Sequence, residues 1–211
     1  MVPILAVAAA AAFLACCLIG QYAVSLPDFF RVLAGADLPG TSFIVLDDRL
    51  PKAATAVLVG GCLGVSGTLF QTMLHNPLAS PDIIGISFGA SASAVVAIVV
   101  FGLSGLPVSI VAGLGALGVA ALIHTLSRGS LVYDHRLILI GIGVAAVLQA
   151  IVSFLLTRAD ISTASDALLW LTGSLDNSTW GGVAQVGVAA AVLLPVAWAL
   201  PRPLGILGLG D

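Results

Sequence analysis

The sequence predicts an all-α, polytopic transmembrane helical bundle, and two observations carry that prediction. Hydrophobic residues make up 60% of the chain and charged residues only 8%, whereas roughly 25% of the residues of a soluble domain are charged. The apolar residues also gather into runs of about 20 residues, the length that a helix needs to cross a bilayer. We therefore expect an integral membrane protein whose single transmembrane domain occupies residues 1–211.

Six apolar runs are long enough to be spans, and the connections between them are turns or polar loops. The longest loops lie at 25–52 and 158–180, and a charged loop lies at 127–136. The predicted spans are 3–24, 53–73, 83–103, 107–126, 137–157 and 181–200.

Glycines recur within these runs at a spacing that favours close helix packing. Gly60 and Gly64 form one GxxxG pair, and Gly85 and Gly89 form a second. Such pairs let two helix backbones approach closely in lipid. The spacing is common in helical membrane proteins, so it predicts bundle packing rather than a particular dimer.

Several functional classes are excluded or disfavoured by the residues present. No basic stripe of the kind that binds nucleic acid occurs. No GxxxxGK[ST] motif occurs either, so this chain does not bind ATP through a P-loop. The three histidines lack the spacing of a metal site, and no catalytic set or cofactor motif is recognisable. We expect a non-enzymatic protein without a cofactor; an intramembrane enzyme using Asp or His is the alternative from another class.

A polar break between the second and third runs is the most specific local pattern. Prolines lack a backbone donor and bias the preceding residue away from helix, an Asn can cap freed backbone groups, and Pro with Asp suits a new helix start. The sequence therefore predicts an inter-helix turn here. Its residues are Asn76, Pro77, Leu78, Ala79, Ser80, Pro81 and Asp82.

Three further polar residues are candidates for function. Arg49 and Lys52 stand before the second run, where they either anchor the helix at the head groups or offer two cations to carboxylates of a soluble partner. Gln149 lies midway along the fifth run. A buried amide in lipid must find partners, so Gln149 either lines a translocation path or bonds another helix.

Six segments in this order resemble the permease subunits of bacterial iron-siderophore and vitamin B12 ABC importers. The resemblance covers nearly the whole chain, and the ferric-enterobactin branch is the most similar. The segments are Arg49-Leu50-Pro51-Lys52, Gly67-Thr68-Leu69-Phe70-Gln71, Asn76 to Gly85, Arg136 to Gly141, Leu169 to Ser174 and Leu207-Gly208-Leu209-Gly210-Asp211.

The resemblance implies a multi-pass protein of the bacterial cytoplasmic (inner) membrane that imports a ferric siderophore by alternating access. Vitamin B12 or haem is the alternative cargo. Permeases of this kind have about ten spans, so we expect this chain to be truncated after its sixth. They work beside a second permease subunit, identical or paralogous, above a cytoplasmic ATPase dimer that hydrolyses ATP.

Residue roles also follow from the resemblance. An extracytoplasmic siderophore-binding protein is expected to dock on Arg49 and Lys52. The family usually has Arg at the second position, and Lys lacks its bidentate fork. The last five residues, 207–211, match the opening of the helix that couples the permease to the ATPase. Neither the siderophore nor an individual gate residue can be read from the sequence.

Overall fold

Every regular element that the structure describes is a helix. The computed structural model describes residues 2–20, 22–73, 76–78, 80, 85–128 and 133–199. The predicted all-α fold class is confirmed. The helices are α1 (Val2–Leu18), α2 (Leu26–Leu33), α3 (Thr41–Phe43), α4 (Leu50–Met73), α5 (Ile86–Val99), α6 (Leu106–Ser127), α7 (Tyr133–Arg158), α8 (Ile161–Thr172) and α9 (Trp180–Ala199), with a π-helical segment (Ile44–Arg49) between α3 and α4.

In the described part of the chain, the six predicted spans correspond to four long apolar helices and two shorter ones. The shorter pair, Pro3–Leu18 and Ile86–Val99, falls within the first and third predicted spans. The third begins late because Gly85 has a positive φ of 85°, a conformation that ends or begins a helix rather than continuing it. The helices long enough to cross a membrane are Thr41–Thr72, Leu106–Ser127, Arg136–Arg158 and Trp180–Ala199.

The second span begins earlier than the predicted residue 53. Helical structure starts at Thr41 and continues through the π-helical segment into α4. The Leu50 N–H donates to the Val45 carbonyl, five residues back, so the turn before Pro51 is wider than an α-helical turn. A proline lacks an N–H and crowds the preceding turn of an α-helix. The helix nevertheless continues across Pro51 without a break.

Two segments predicted as loops contain helices. The loop at 25–52 holds α2, whose first turn is capped by Ser25: its Oγ accepts from the Asp28 N–H at 3.3 Å. The loop at 158–180 holds α8, which ends at Gly173 with a φ of 74°. Both helices are shorter than a membrane span, so a search for runs of about 20 apolar residues passes over them.

The helices form two compact units. The first comprises the described residues of Met1–Val65 and Leu175–Asp211, and the second Ser66–Ser174. The first has a small core formed by the end of α1, by α2 and by the π-helical segment. Its buried residues are Cys17, Val24, Phe29, Val32, Val45 and Ala53.

The second unit is organised around α5, which packs against α6, α7 and α8. Small side chains let these helices approach closely: Ala94 and Ala97 of α5 are buried with Val108 and Ala112 of α6, and Trp170 of α8 packs against the same cluster. Dispersion and close backbone approach replace the hydrophobic effect as the force between helices in lipid.

Candidate functional site

Arg49 is buried at the end of the π-helical segment, with only 6% of its surface exposed. Its Nη1 donates to the carbonyl oxygens of Cys17 at 3.0 Å and Leu18 at 2.9 Å. Its Nη2 donates to the carbonyl oxygen of Tyr22. The final carbonyls of a helix have no partner within the helix, and a cation is favourable at that end. Arg49 therefore caps α1 and holds the turn that follows.

Gly20 provides the space in which this guanidinium lies. A Cβ added at residue 20 would come 2.6 Å from Nη2 of Arg49. A side chain here would push the guanidinium off the turn. The sequence offers a partial signal, since a glycine just after an apolar run is typical of a helix end, but nothing in the sequence pairs Gly20 with Arg49.

Lys52 lies one turn further along α4 and has different surroundings. Its Nζ is 2.8 Å from Oδ1 of Asp48 and 3.8 Å from Oδ1 of Asp176. The side chain of Lys52 is 24% exposed, that of Asp48 46% and that of Asp176 92%. The ammonium of Lys52 is therefore partly exposed and lies beside two carboxylates. We call Lys52, Asp48 and Asp176 the Lys52 cluster.

The two predicted docking cations are thus placed differently. The guanidinium of Arg49 is directed to backbone carbonyls, and the ammonium of Lys52 to carboxylates. The spacing of Asp48 and Lys52, an i,i+4 pair, is readable from the sequence once the helix is known to extend back beyond residue 50. Asp176 is 124 residues away in the chain, and no sequence signal joins it to Lys52.

A hydrogen bond from α9 holds the segment that carries Asp176 near the π-helical segment. Trp180 Nε1 donates to the carbonyl oxygen of Leu46 at 2.8 Å. Asp176 itself lies within a turn that is closed by the Ser178 N–H, which donates to the Leu175 carbonyl at 3.0 Å. The backbone around Asp176 is therefore tied down on both sides of its exposed side chain.

The polar break after α4 is described in part. The Asn76 N–H donates to the Gln71 carbonyl at 3.2 Å, and Asn76 Oδ1 accepts from the Leu78 N–H at 2.9 Å. This closes an Asx turn across Pro77. Asn76, Pro77 and Leu78 are exposed, and Ser80 is half-buried. Ala79, Pro81 and Asp82 lie outside the described residues.

Gln149 lies on α7 in the second unit, with its side chain exposed. The predicted coupling residues, Leu207 to Asp211, lie outside the described residues. Among the described residues, no three His, Cys, Asp or Glu side chains come close enough together to hold a metal ion. The roles of Gln149 and of the coupling residues stay predictions.

Comparison with known proteins identifies relatives over almost the whole chain. The ferric enterobactin transport system permease protein FepG of Escherichia coli (strain K12) is 35% identical over 192 residues, which is 91% of this chain and 58% of the relative. The achromobactin transport system permease protein CbrC of Dickeya dadantii (strain 3937) is 36% identical over 197 residues, 92% of this chain and 56% of the relative. The chain thus spans a little over half the length of these relatives.

A solved structure has the same fold. An inward-facing conformation of a metal-chelate type ABC transporter matches with a TM-score of 0.76 and 28% identity, covering 97% of this chain and 66% of that one. Residues 7–211 also match the model of the FecCD transport family. The chain belongs to the FecCD transport family.

Proposed function

We propose that this chain forms part of the membrane permease of an ATP-driven importer that carries ferric siderophores across the bacterial cytoplasmic membrane. The observation that supports this most strongly is its 35% identity, over 91% of its length, to a ferric enterobactin permease. Its long apolar helices and the absence of catalytic motifs from its sequence are consistent with a transport path rather than an enzyme.

The proposed mechanism is alternating access. Two permease subunits enclose the path, a separate cytoplasmic ATPase dimer supplies the energy, and a siderophore-binding protein delivers the chelate from outside. In this scheme residues 207–211 begin the element that contacts the ATPase, and Gln149 faces the path. The turn at 76–82 connects the second and third spans.

The surface around Arg49 and Lys52 is the proposed docking point for the binding protein. The Lys52 side chain is partly exposed, and its ammonium can donate to a carboxylate of a partner. Arg49 would first have to leave the carbonyls of Cys17, Leu18 and Tyr22 before it could contact a partner. The structure therefore favours Lys52 as the direct contact and Arg49 as its support.

Uptake of labelled ferric siderophore in a strain lacking the gene tests the proposal. We expect uptake to collapse and to return when the gene is supplied on a plasmid. Uptake that stays normal in the deletion strain, with no second importer for the same chelate, would contradict the transport function.

Competition identifies the cargo. An excess of unlabelled ferric enterobactin should suppress the labelled uptake if a catecholate siderophore is carried. Suppression by vitamin B12 or haem instead would keep the importer and replace its substrate. An intramembrane enzyme would leave uptake unchanged in every arm.

A further inference from the structure

Lys52 already holds carboxylates of its own chain, and the two contacts are unequal. We propose that Asp176 occupies, in the undocked protein, the position that a carboxylate of the docking partner takes on Lys52, and that docking exchanges one for the other. The inference rests on the proposed function, because it concerns the partner that docks at Lys52.

The distances separate a permanent partner from an exchangeable one. Asp48 is one helical turn from Lys52 and lies within hydrogen-bond distance of it, at 2.8 Å. Asp176 stands at 3.8 Å, too far for a hydrogen bond, so its contact with Lys52 is one of charge attraction. Its side chain is 92% exposed and stays hydrated there. Exposed ion pairs of this kind contribute little to stability, so Asp176 can leave Lys52 at small cost.

The charges of the cluster favour the exchange. One ammonium and two carboxylates carry one net negative charge. A further carboxylate approaching Lys52 would be repelled by Asp176 unless Asp176 turned away. Charges around a docking point act mainly on the rate of association, so Asp176 should slow the approach of an acidic partner and favour a partner that binds Lys52 well enough to displace it.

The surroundings allow a side-chain movement without a backbone movement. The turn that carries Asp176 is closed by the Ser178 N–H, and Trp180 is bonded to the Leu46 carbonyl. Arg49 holds the end of α1 through the carbonyls of Cys17 and Leu18. Lys52 and Asp48 therefore keep their positions while the carboxylate of Asp176 turns away from Lys52.

Association rates of the full permease complex in lipid nanodiscs test the exchange. The probe is the chelate-loaded binding protein that serves this permease, measured at low and high salt. We expect Asp176→Asn to raise the association rate about 2- to 5-fold at low salt, and the gain to shrink at high salt because exposed charges are screened. Lys52→Gln should lower the rate by a similar factor. Asp37→Asn, which removes an exposed acid from the predicted loop at 25–52, is the charge-matched control and should change nothing.

The double variant decides whether Asp176 acts through Lys52. If the two groups exchange partners as proposed, Asp176→Asn produces little gain in a Lys52→Gln background. A gain of the same size in that background, or in Asp37→Asn, would show a general charge effect and overturn the exchange. A slower association in Asp176→Asn would overturn it as well.

Failure of the proposed function has a different signature. If the unaltered permease does not bind the loaded binding protein at all, the docking partner is wrong and the transport proposal fails with it. If it binds, and Lys52→Gln weakens binding while Asp176→Asn behaves as Asp37→Asn does, only the exchange is lost.

Discussion

Two glycine pairs with the same spacing have different surroundings in this protein. At Gly89 an added Cβ would come 2.7 Å from the side chain of Val119 and 3.0 Å from the carbonyl oxygen of Gly115. At Gly60 and Gly64 an added Cβ would meet no atom within 4 Å. A GxxxG pair permits two backbones to approach. Among the described residues a neighbouring helix comes close at Gly89, and none does at Gly60 or Gly64.

The two units also hold their helices by different means. In the second, α5 and α6 meet at glycines, and Gly85 approaches α7 so closely that a Cβ there would lie 2.7 Å from the carbonyl oxygen of Gly141. In the first, the end of α1 is held by the guanidinium of Arg49. The glycine contacts of the second unit depend on the absence of a side chain, whereas the contact at the end of α1 depends on the side chain of Arg49.

Gly115→Ala breaks the glycine contact and should have the largest effect. The added Cβ would overlap the side chain of Ser93 and lie 2.9 Å from the carbonyl oxygen of Gly89, so the helices must separate. Overpacking costs about 1–3 kcal/mol, and we expect about 3 kcal/mol in unfolding by SDS in mixed micelles. Gly118→Ala, three residues along the same helix with nothing within 4 Å, is the matched control. Equal stability of the two variants would remove the glycine contact as an explanation.

Arg49→Ala tests the polar contact of the first unit. It removes the guanidinium from the carbonyls of Cys17, Leu18 and Tyr22. The Leu18 carbonyl keeps the Val24 N–H at 3.2 Å, and a carbonyl left unsatisfied costs about 1–3 kcal/mol. We expect a loss of about 2 kcal/mol and faster proteolysis between α1 and α2. Arg31→Ala, which removes an exposed arginine of the same unit, should cost much less. If both variants lose the same stability, Arg49 does not hold the turn.

Gly60→Ala should have the smallest effect and the opposite sign. Alanine stabilises a helix by about 1 kcal/mol relative to glycine. Among the described residues, no atom lies within 4 Å of the added methyl group. We expect a gain of up to about 1 kcal/mol in the isolated chain. A loss of stability in the assembled permease, set against the gain in the isolated chain, would show that another helix covers this face of α4.

Much of the fold was predictable because a membrane span has a simple signature. The all-α class follows from long apolar runs, which have no other stable form across a bilayer. The helix boundaries were less so: α1 ends at Leu18 rather than near residue 24, and α4 is preceded by helix from Thr41. Short helices such as α8 were not predicted, because packing against a neighbour, here α5, stabilises them, and a short helix has no run of span length.

The candidate site was predictable only in its residue types. The cations at 49 and 52 stand three apart in the sequence and were assigned one docking role, which stays a prediction. Their surroundings in the folded chain differ: Arg49 is buried and donates to carbonyls at the end of α1, and Lys52 is partly exposed and pairs with Asp176. Both contacts join residues at least 27 apart in the chain, and no local pattern encodes such a pairing.

Local features of the sequence suffice to identify a helical membrane protein of the FecCD transport family, because apolar run length and a specific Asn-Pro motif can be read residue by residue. Which glycines contact a neighbouring helix, and which of the two cations is partly exposed, are visible only in the folded chain. Those outcomes depend on which groups distant segments bring within a few ångströms, and spacing along the chain does not specify them.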